Sequence, residues 1–148
     1  AQPDPQMDEL TVPFLGDERA ALQYPFEAIR AAGARLAMGS DWAVTTADPL
    51  AQLEVAITRA GRGTGSFLPD QRLSVDAAID AFTAGSAYVN HDDDAGTIEV
   101  GRRADLAMLD HDVLVDGYAT PESAPLADAS VVLTVAAGRV VHERGLGS

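Results

Sequence analysis

The stretch that decides the fold spans residues 33–42 and reads Gly-Ala-Arg-Leu-Ala-Met-Gly-Ser-Asp-Trp. Its mostly apolar part, residues 34–38, follows a predicted helix, and the polar residues after it include Asp41. A strand that is buried on both faces and ends in an acidic residue is typical of a parallel barrel, where catalytic groups project from the carboxyl ends of the strands. The stretch therefore predicts a strand over residues 34–38 with a carboxylate at its carboxyl end.

Asp41 is the candidate catalytic and metal-binding residue of this pattern. A carboxylate at a strand end can bind a divalent cation and exchange a proton with water activated by that cation. Aspartate is also common in turns, where its side chain bonds nearby backbone groups, so a structural role is the alternative. These residues alone leave both interpretations open.

Helices are predicted on both sides of this strand. Pro25 can open the preceding helix, where its missing N–H costs nothing, and Gly33 can end it. Asp48-Pro49 starts a second helix, along which apolar residues recur at helical spacing. Ser74 caps a third helix, and a short fourth is predicted over residues 86–89. This part of the chain therefore reads as an α/β unit.

The residue pattern changes near Gly96, which we take as the boundary between two domains, residues 1–95 and residues 96–148. Short apolar runs follow, and Gly-Arg pairs mark the turns between them. The predicted strands are 97–100, 106–109, 131–135 and 140–141, and the segments predicted to lack regular structure are 1–24, 61–70 and 111–129.

The composition excludes several classes of function. The 10 basic and 23 acidic side chains give a formal net charge of -13. Such a surface repels phosphate backbones and anionic lipids, so neither nucleic-acid nor membrane binding is expected. The chain has no cysteine, which rules out disulfides and thiolate metal sites. No apolar run approaches the ~20 residues needed to cross a bilayer, residues 1–9 do not resemble a signal peptide, and we expect a cytoplasmic protein.

Motifs along the chain together suggest a known family. They are Tyr24-Pro25-Phe26, Leu36 to Trp42, Asp48-Pro49-Leu50, Leu73-Ser74, Gly96 to Leu106 and Val135 to Val141. In this order, and over nearly the whole chain, the sequence resembles amidohydrolase family 3, which includes deformylase-like and N-acyl-amino-acid deacylase-like enzymes. The resemblance implies an α/β fold: the C-terminal fragment of a TIM-barrel amidohydrolase, with the last barrel strand and its helices, plus part of a small β-sandwich domain.

The resemblance also implies a role for Asp41, which matches the family's aspartate at the end of the eighth barrel strand. There it would bind the metal, expected to be zinc in the parent enzyme, take a proton from the attacking water and protonate the leaving nitrogen. The family's other ligands include a His-x-His motif, which this sequence lacks, and His91, His111 and His142 are predicted to be surface residues. One carboxylate cannot replace the three protein ligands of a catalytic zinc site. We therefore expect the chain alone to bind no metal and to be inactive.

The predicted function is that of the C-terminal portion of a metal-dependent amidohydrolase. The parent would hydrolyse amide-type C–N bonds of small-molecule substrates with metal-activated water. A strand over residues 34–38 would have two open edges, which predicts a homo-oligomer or association with the missing segment. The alternatives are a non-catalytic binding or assembly module derived from an amidohydrolase, and a truncated sequence with no separate function.

Three further segments carry weaker signals. Residues 61–66 resemble a phosphate-binding loop but lack its Gly-Lys-Ser/Thr ending, which favours a flexible linker. Residues 91–94 lack the ligand spacing of a calcium loop and are predicted to be a solvated turn. Asp105 is predicted to bond backbone groups in the turn after Gly101, at the start of a strand.

Ala43 stands where the family usually has proline, so the family's substrate preference does not transfer to the loop that contains it.

Overall fold

Short helices and one small antiparallel sheet make up the fold. The structure is a computed structural model that describes residues 11–60, 65–114, 126 and 129–145. The mixture of helices and sheet agrees with the predicted α/β class at that coarse level. No helix among these residues has both the length and the apolar character that crossing a bilayer requires.

Three short helices precede the deciding stretch: α1 (Val12–Leu15), α2 (Asp17–Ala20) and α3 (Phe26–Ala31). The prediction of irregular structure was wrong for α1 and α2, and residues 1–10 lie outside the described part. A proline sits in the first turn of α1 and two acidic residues in that of α2, and both placements favour a helix start. The predicted helix after Pro25 is confirmed, and Gly33, with φ +93°, supplies the left-handed residue that follows it.

The later helices begin at the predicted caps. Helix α4 (Pro49–Thr58) starts where the Asp48 carboxylate accepts a hydrogen bond from the Leu50 N–H at 3.0 Å. Helix α5 (Val75–Phe82) starts where the Ser74 hydroxyl accepts one from the Ala77 N–H at 3.2 Å. A 3₁₀ turn over Pro69–Gln71 lies between them, and α6 (Ala84–Val89) follows α5 directly.

Residues 34–38 form no strand, which differs from the prediction. The Met38 N–H donates to the Ala81 carbonyl at 3.0 Å, and the Met38 carbonyl accepts from the Ser86 hydroxyl at 2.6 Å. Gly85 packs so closely that an added Cβ would lie 2.1 Å from the Leu36 carbonyl oxygen. A strand needs a neighbouring strand for its backbone groups, and at Met38 the junction of α5 and α6 occupies them instead.

The sheet has the order β1 (Leu106–Leu109), β2 (Val131–Ala136) and β3 (Arg139–Glu143), and both pairs are antiparallel. These strands confirm three of the four predicted runs. The run over residues 97–100 is not a strand, because the chain turns there: the Arg102 N–H donates to the Glu99 carbonyl at 3.1 Å, and Gly101 has φ +93°.

The buried core lies mainly between α4, α5 and the segments beside the sheet. Its cluster contains Ala56, Ile57, Leu73, Ala78, Val113, Leu126 and Ala129. The cluster draws on both sides of residue 95, and the division into two domains stays a prediction. Most of the loop that follows Met38 lies at the surface.

Candidate functional site

Asp41 lies at the surface, three residues beyond Met38, with its backbone at φ +50°. Aspartate is one of the residues that tolerate this left-handed conformation. The turn is held by other groups: the Trp42 N–H donates to the Ser40 hydroxyl at 3.2 Å, and the Thr45 hydroxyl donates to the Ser40 carbonyl. The Asp41 main-chain carbonyl accepts from the Val44 N–H at 2.8 Å. The turn thus uses the backbone of Asp41 while the side chain of Ser40, rather than that of Asp41, caps it.

The residues that follow Asp41 also lie at the surface. Trp42 is 71% exposed, and Val44 is more exposed still. The Trp42–Ala43 peptide bond is cis. An aromatic and an aliphatic side chain therefore lie open to solvent on the same short loop as the carboxylate, where each can contact a ligand or another part of a protein.

The described residues do not fit a metal site on their own, because no three histidine, aspartate or glutamate side chains among them lie close enough to hold an ion. All three histidines are exposed, as predicted. The His111 Nδ1 lies 2.8 Å from Asp110 Oδ1, which also accepts from the Ser130 N–H at 3.0 Å. The Ser130 N–H, and after it His111, lowers the pKa of Asp110. Asp110, which follows β1, therefore bonds Ser130, which precedes β2. Asp41 takes no part in these contacts.

A buried polar pair beneath the Asp41 loop was not predicted from the sequence. Arg59, at the end of α4, is only 4% exposed, and Gln52 is 9% exposed. Both line a cavity of about 30 Å³ that also touches Gly39 and Thr45. Burial lowers the pKa of Arg59, an effect that Tyr24 opposes. No signal in the sequence indicated this pair, because arginine is almost never fully buried unless it is paired, and Arg59 would therefore be expected at the surface.

A second charged cluster joins the helical part to the sheet. The Arg103 guanidinium donates to the carboxylates of Asp92, Asp94 and Asp105, with Nε 2.6 Å from Asp105 Oδ2. The prediction that residues 91–94 form a solvated turn missed this contact. Asp105 Oδ1 accepts from the Ala137 N–H at 2.7 Å, so Asp105 bonds the backbone of the β2–β3 turn and not, as predicted, that of the turn after Gly101.

Comparison with known proteins assigns the family. The sequence model of the amidohydrolase family matches residues 1–142, so the chain belongs to that family. The chain is 32% identical over 115 residues to Protein LONG AFTER FAR-RED 3 of Arabidopsis thaliana, a match that covers 73% of this chain and 19% of that protein.

A second relative names a reaction. The chain is 29% identical over 122 residues to an N-substituted formamide deformylase of Arthrobacter pascens, a match that covers 82% of this chain and 22% of that enzyme. The chain thus spans about a fifth of the length of these curated relatives. No solved structure matches it.

Proposed function

We propose that this chain is the C-terminal portion of a metal-dependent amidohydrolase that hydrolyses amide-type C–N bonds, and that it is inactive as an isolated chain. Membership of the amidohydrolase family supports the parent class. A relative named for the deformylation of N-substituted formamides supports an amide-type substrate. The small share of each relative that the chain covers supports a portion rather than a complete catalyst.

The observation that carries the proposal is the position of Asp41. Its carboxylate is exposed in a family motif and takes no part in holding its own turn. In the proposed role Asp41 accepts a proton from the attacking water and delivers it to the leaving nitrogen, as a general base and then a general acid. A divalent metal, which we expect to be zinc, would polarise the reactants when bound. Because the described residues do not form its site, its other ligands would come from outside this chain.

The architectural part of the proposal concerns residues 34–38. We propose that they form the last strand of a TIM barrel once neighbouring strands are present, with residues 1–95 in the barrel and residues 96–148 in a composite β-sandwich domain. The carboxyl end of the segment carries Asp41, and catalytic groups of such barrels lie at that end of the strands. We also propose that the isolated chain associates with a second copy or with the missing segment, because residues 34–38, wherever they became extended, would present backbone groups without a neighbouring strand.

The test begins with the coding sequence upstream of Ala1. A His-x-His strand in the same reading frame supports the proposed enzyme. The longer protein should then hydrolyse N-substituted formamides with added zinc, and Asp41→Asn should lower kcat by about 10²- to 10⁴-fold because the carboxylate no longer transfers a proton. Asp48→Asn is the matched control, since it changes a nearby exposed aspartate and asparagine caps a helix equally well.

Three results would count against this proposal. The first is full activity of Asp41→Asn in the longer protein. The second is turnover by the 148-residue chain alone that Asp41→Asn abolishes, because this would contradict the expected inactivity of the isolated chain. The third is an independent start codon with no catalytic segment upstream, which would favour the non-catalytic binding or assembly module.

A further inference from the structure

The Asp41 loop, residues 39–47, is bonded to helix α4 by a buried side chain. The Gln52 Nε2 donates to the Thr46 carbonyl at 2.5 Å, and Gln52 is only 9% exposed. The hydrogen bonds of the turn itself join loop residues to one another, as does the bond from the Val44 N–H to the Asp41 carbonyl. The Gln52 amide therefore ties the second half of this loop to α4.

Two polar atoms beside this contact have no hydrogen-bond partner among the described residues. They are the Gln52 Oε1 and the Arg59 Nη2. Turning the Gln52 amide over would bring its oxygen against the Thr46 carbonyl oxygen, so Oε1 is the atom left without a donor. The Arg59 Nε is committed as well, because it donates to the Phe67 carbonyl at 3.1 Å. Buried polar atoms nearly always have a partner, so both atoms require one.

One water molecule supplies both partners. Gln52 and Arg59 line the same cavity, whose volume of about 30 Å³ is enough for one water. Water accepts from a guanidinium N–H and donates to an amide oxygen, so it fits an Nη2 donor and an Oε1 acceptor together. Thr45 also lines the cavity. Its hydroxyl donates to the Ser40 carbonyl, and the hydroxyl oxygen can accept the second proton of the water.

We propose that one bound water joins Arg59 to Gln52, and that these two side chains are positioning residues that hold the Asp41 loop on α4. The Asp41 carboxylate takes no part in holding its own turn, so its position depends on the contacts of the loop. Arg59 is fixed in the core: it is 4% exposed, and the ring centroids of Tyr24 and Phe67 lie 6.0 and 5.9 Å from its guanidinium carbon. Only the consequence for catalysis by Asp41 rests on the proposed function.

The water is detected in the 148-residue chain by ¹⁷O relaxation dispersion, which counts the water molecules that stay bound for long times. Gln52→Met replaces the amide by an apolar group of similar length, so this variant should bind one long-lived water fewer than the wild type. Gln71→Met is the matched control: the Gln71 Oε1 accepts from the Ala28 N–H at 3.0 Å, but Gln71 does not line the cavity. Equal counts for the wild type and Gln52→Met would overturn the bridge.

Hydrogen exchange of the Val44 amide measures how firmly the loop is held. Without the Gln52 side chain the loop should open more readily, so Gln52→Met should raise the exchange rate of this amide about tenfold. The Leu73 amide, which donates to the Ala56 carbonyl at 3.0 Å, is the internal reference for the core. A general loss of stability would raise both rates together, and that result would contradict a local hold on the loop.

Arg59→Met separates the water from the direct bond, because it leaves the contact between Gln52 and Thr46 in place. Loss of the water alone should raise the Val44 exchange rate by a smaller factor, about threefold. Adding Arg59→Met to Gln52→Met should raise it no further, since either substitution removes the same water. Arg72→Met, which changes an arginine that does not line the cavity, is the matched control. If Arg59→Met does not fold, the water count in Gln52→Met decides alone.

The consequence for catalysis is tested in the longer protein. Gln52→Met should lower kcat and leave KM nearly unchanged, because a displaced Asp41 carboxylate transfers protons less well. An unchanged kcat, in a protein that Asp41→Asn inactivates, would overturn the positioning role. A longer protein without activity would count against the proposed hydrolase, whereas the water count and the exchange rates would still decide whether the bridge holds the loop.

Discussion

The helical part of the chain and its sheet differ in how far they bury their side chains. In the helical part, Ile57 is 1% exposed and Ala78 is fully buried. In the sheet, every residue of β3 is exposed, and so are three of the four residues of β1. Both strand pairs nevertheless form their backbone ladders. Backbone pairing and side-chain burial are thus separate requirements, and the sheet meets mainly the first.

The contrast predicts that stability is concentrated in the helical part, and the largest effect should come from its core. Ile57→Ala should lower the free energy of unfolding by about 2 to 5 kcal/mol, because it removes buried methyl groups and leaves a cavity. Urea unfolding followed by circular dichroism measures the change. Ile98→Ala is the control, from the turn that precedes the sheet: Ile98 is 88% exposed, so its effect should stay within about 0.5 kcal/mol. Equal losses for the two variants would remove the contrast.

A second variant tests the close packing of α6 against residues 34–38. Gly85→Ala adds a Cβ that would lie 2.1 Å from the Leu36 carbonyl oxygen. Backbone must shift to accept it, which should cost about 1 to 3 kcal/mol in the same unfolding assay. Gly39→Ala is the matched control, since a Cβ there meets nothing within 4 Å. If Gly85→Ala did not lower the free energy of unfolding, α6 would not pack closely against residues 34–38.

A third variant tests the start of α5. Ser74→Ala removes the hydroxyl that accepts from the Ala77 N–H, and the loss of such a cap should cost about 1 kcal/mol. Ser74→Asp keeps an acceptor at the cap and should retain most of the stability. If both variants lose the same amount in thermal unfolding, the hydrogen bond does not account for the stabilisation.

The smallest effect on stability is expected from acid, and it should act where the two regions meet. The Arg103 guanidinium lowers the pKa of Asp92, while the Ala137 N–H and then Arg103 lower that of Asp105 from the ordinary 3.8. A carboxylate whose pKa is lower in the folded state stabilises the fold above its ordinary pKa. That contribution to the stability of the fold is lost as the pH falls below 3.8 and through the lowered pKa of the folded state.

Hydrogen exchange of the Ala137 amide provides the measurement. Its protection should fall over this acid range, because protonation weakens its bond to Asp105 Oδ1. Asp105→Asn serves as the control: it keeps an acceptor oxygen but has no charge to titrate, so its protection should not follow the same acid transition. Raised salt should weaken the ion pairs as well, since the Arg103 side chain is 34% exposed. An Ala137 amide with the same protection at pH 7 and in acid would exclude this link.

Local signals in the sequence were sufficient to predict where helices α4 and α5 start and where most of the sheet lies. Asp48 and Ser74 act through bonds to residues two or three positions away, so their caps could be predicted from neighbouring residues. The turn at Gly138 joins adjacent strands, so the β2–β3 hairpin could be predicted in the same way. The proposed role of Asp41 also came from a local motif, and it stays a prediction.

Features that depend on distant parts of the chain could not be predicted. Whether residues 34–38 pair as a strand depends on which groups reach Met38, and these come from Ala81 and Ser86. The cavity beside Arg59 depends on residues from Phe26 to Phe82 that meet only in the folded chain. The contacts of Arg103 with Asp92 and Asp94 cross the boundary that the change of pattern near Gly96 suggested.

The two hydrogen bonds at Met38 have a consequence for assembly. Its N–H and its carbonyl are already satisfied by the Ala81 carbonyl and the Ser86 hydroxyl. An incoming strand that paired at this residue would have to displace both bonds, so pairing there is an exchange of partners with little net gain in hydrogen bonding. Insertion of this segment into a larger sheet would consequently be driven by the apolar surface it covers, and the rate would be set by how readily the start of α6 moves aside.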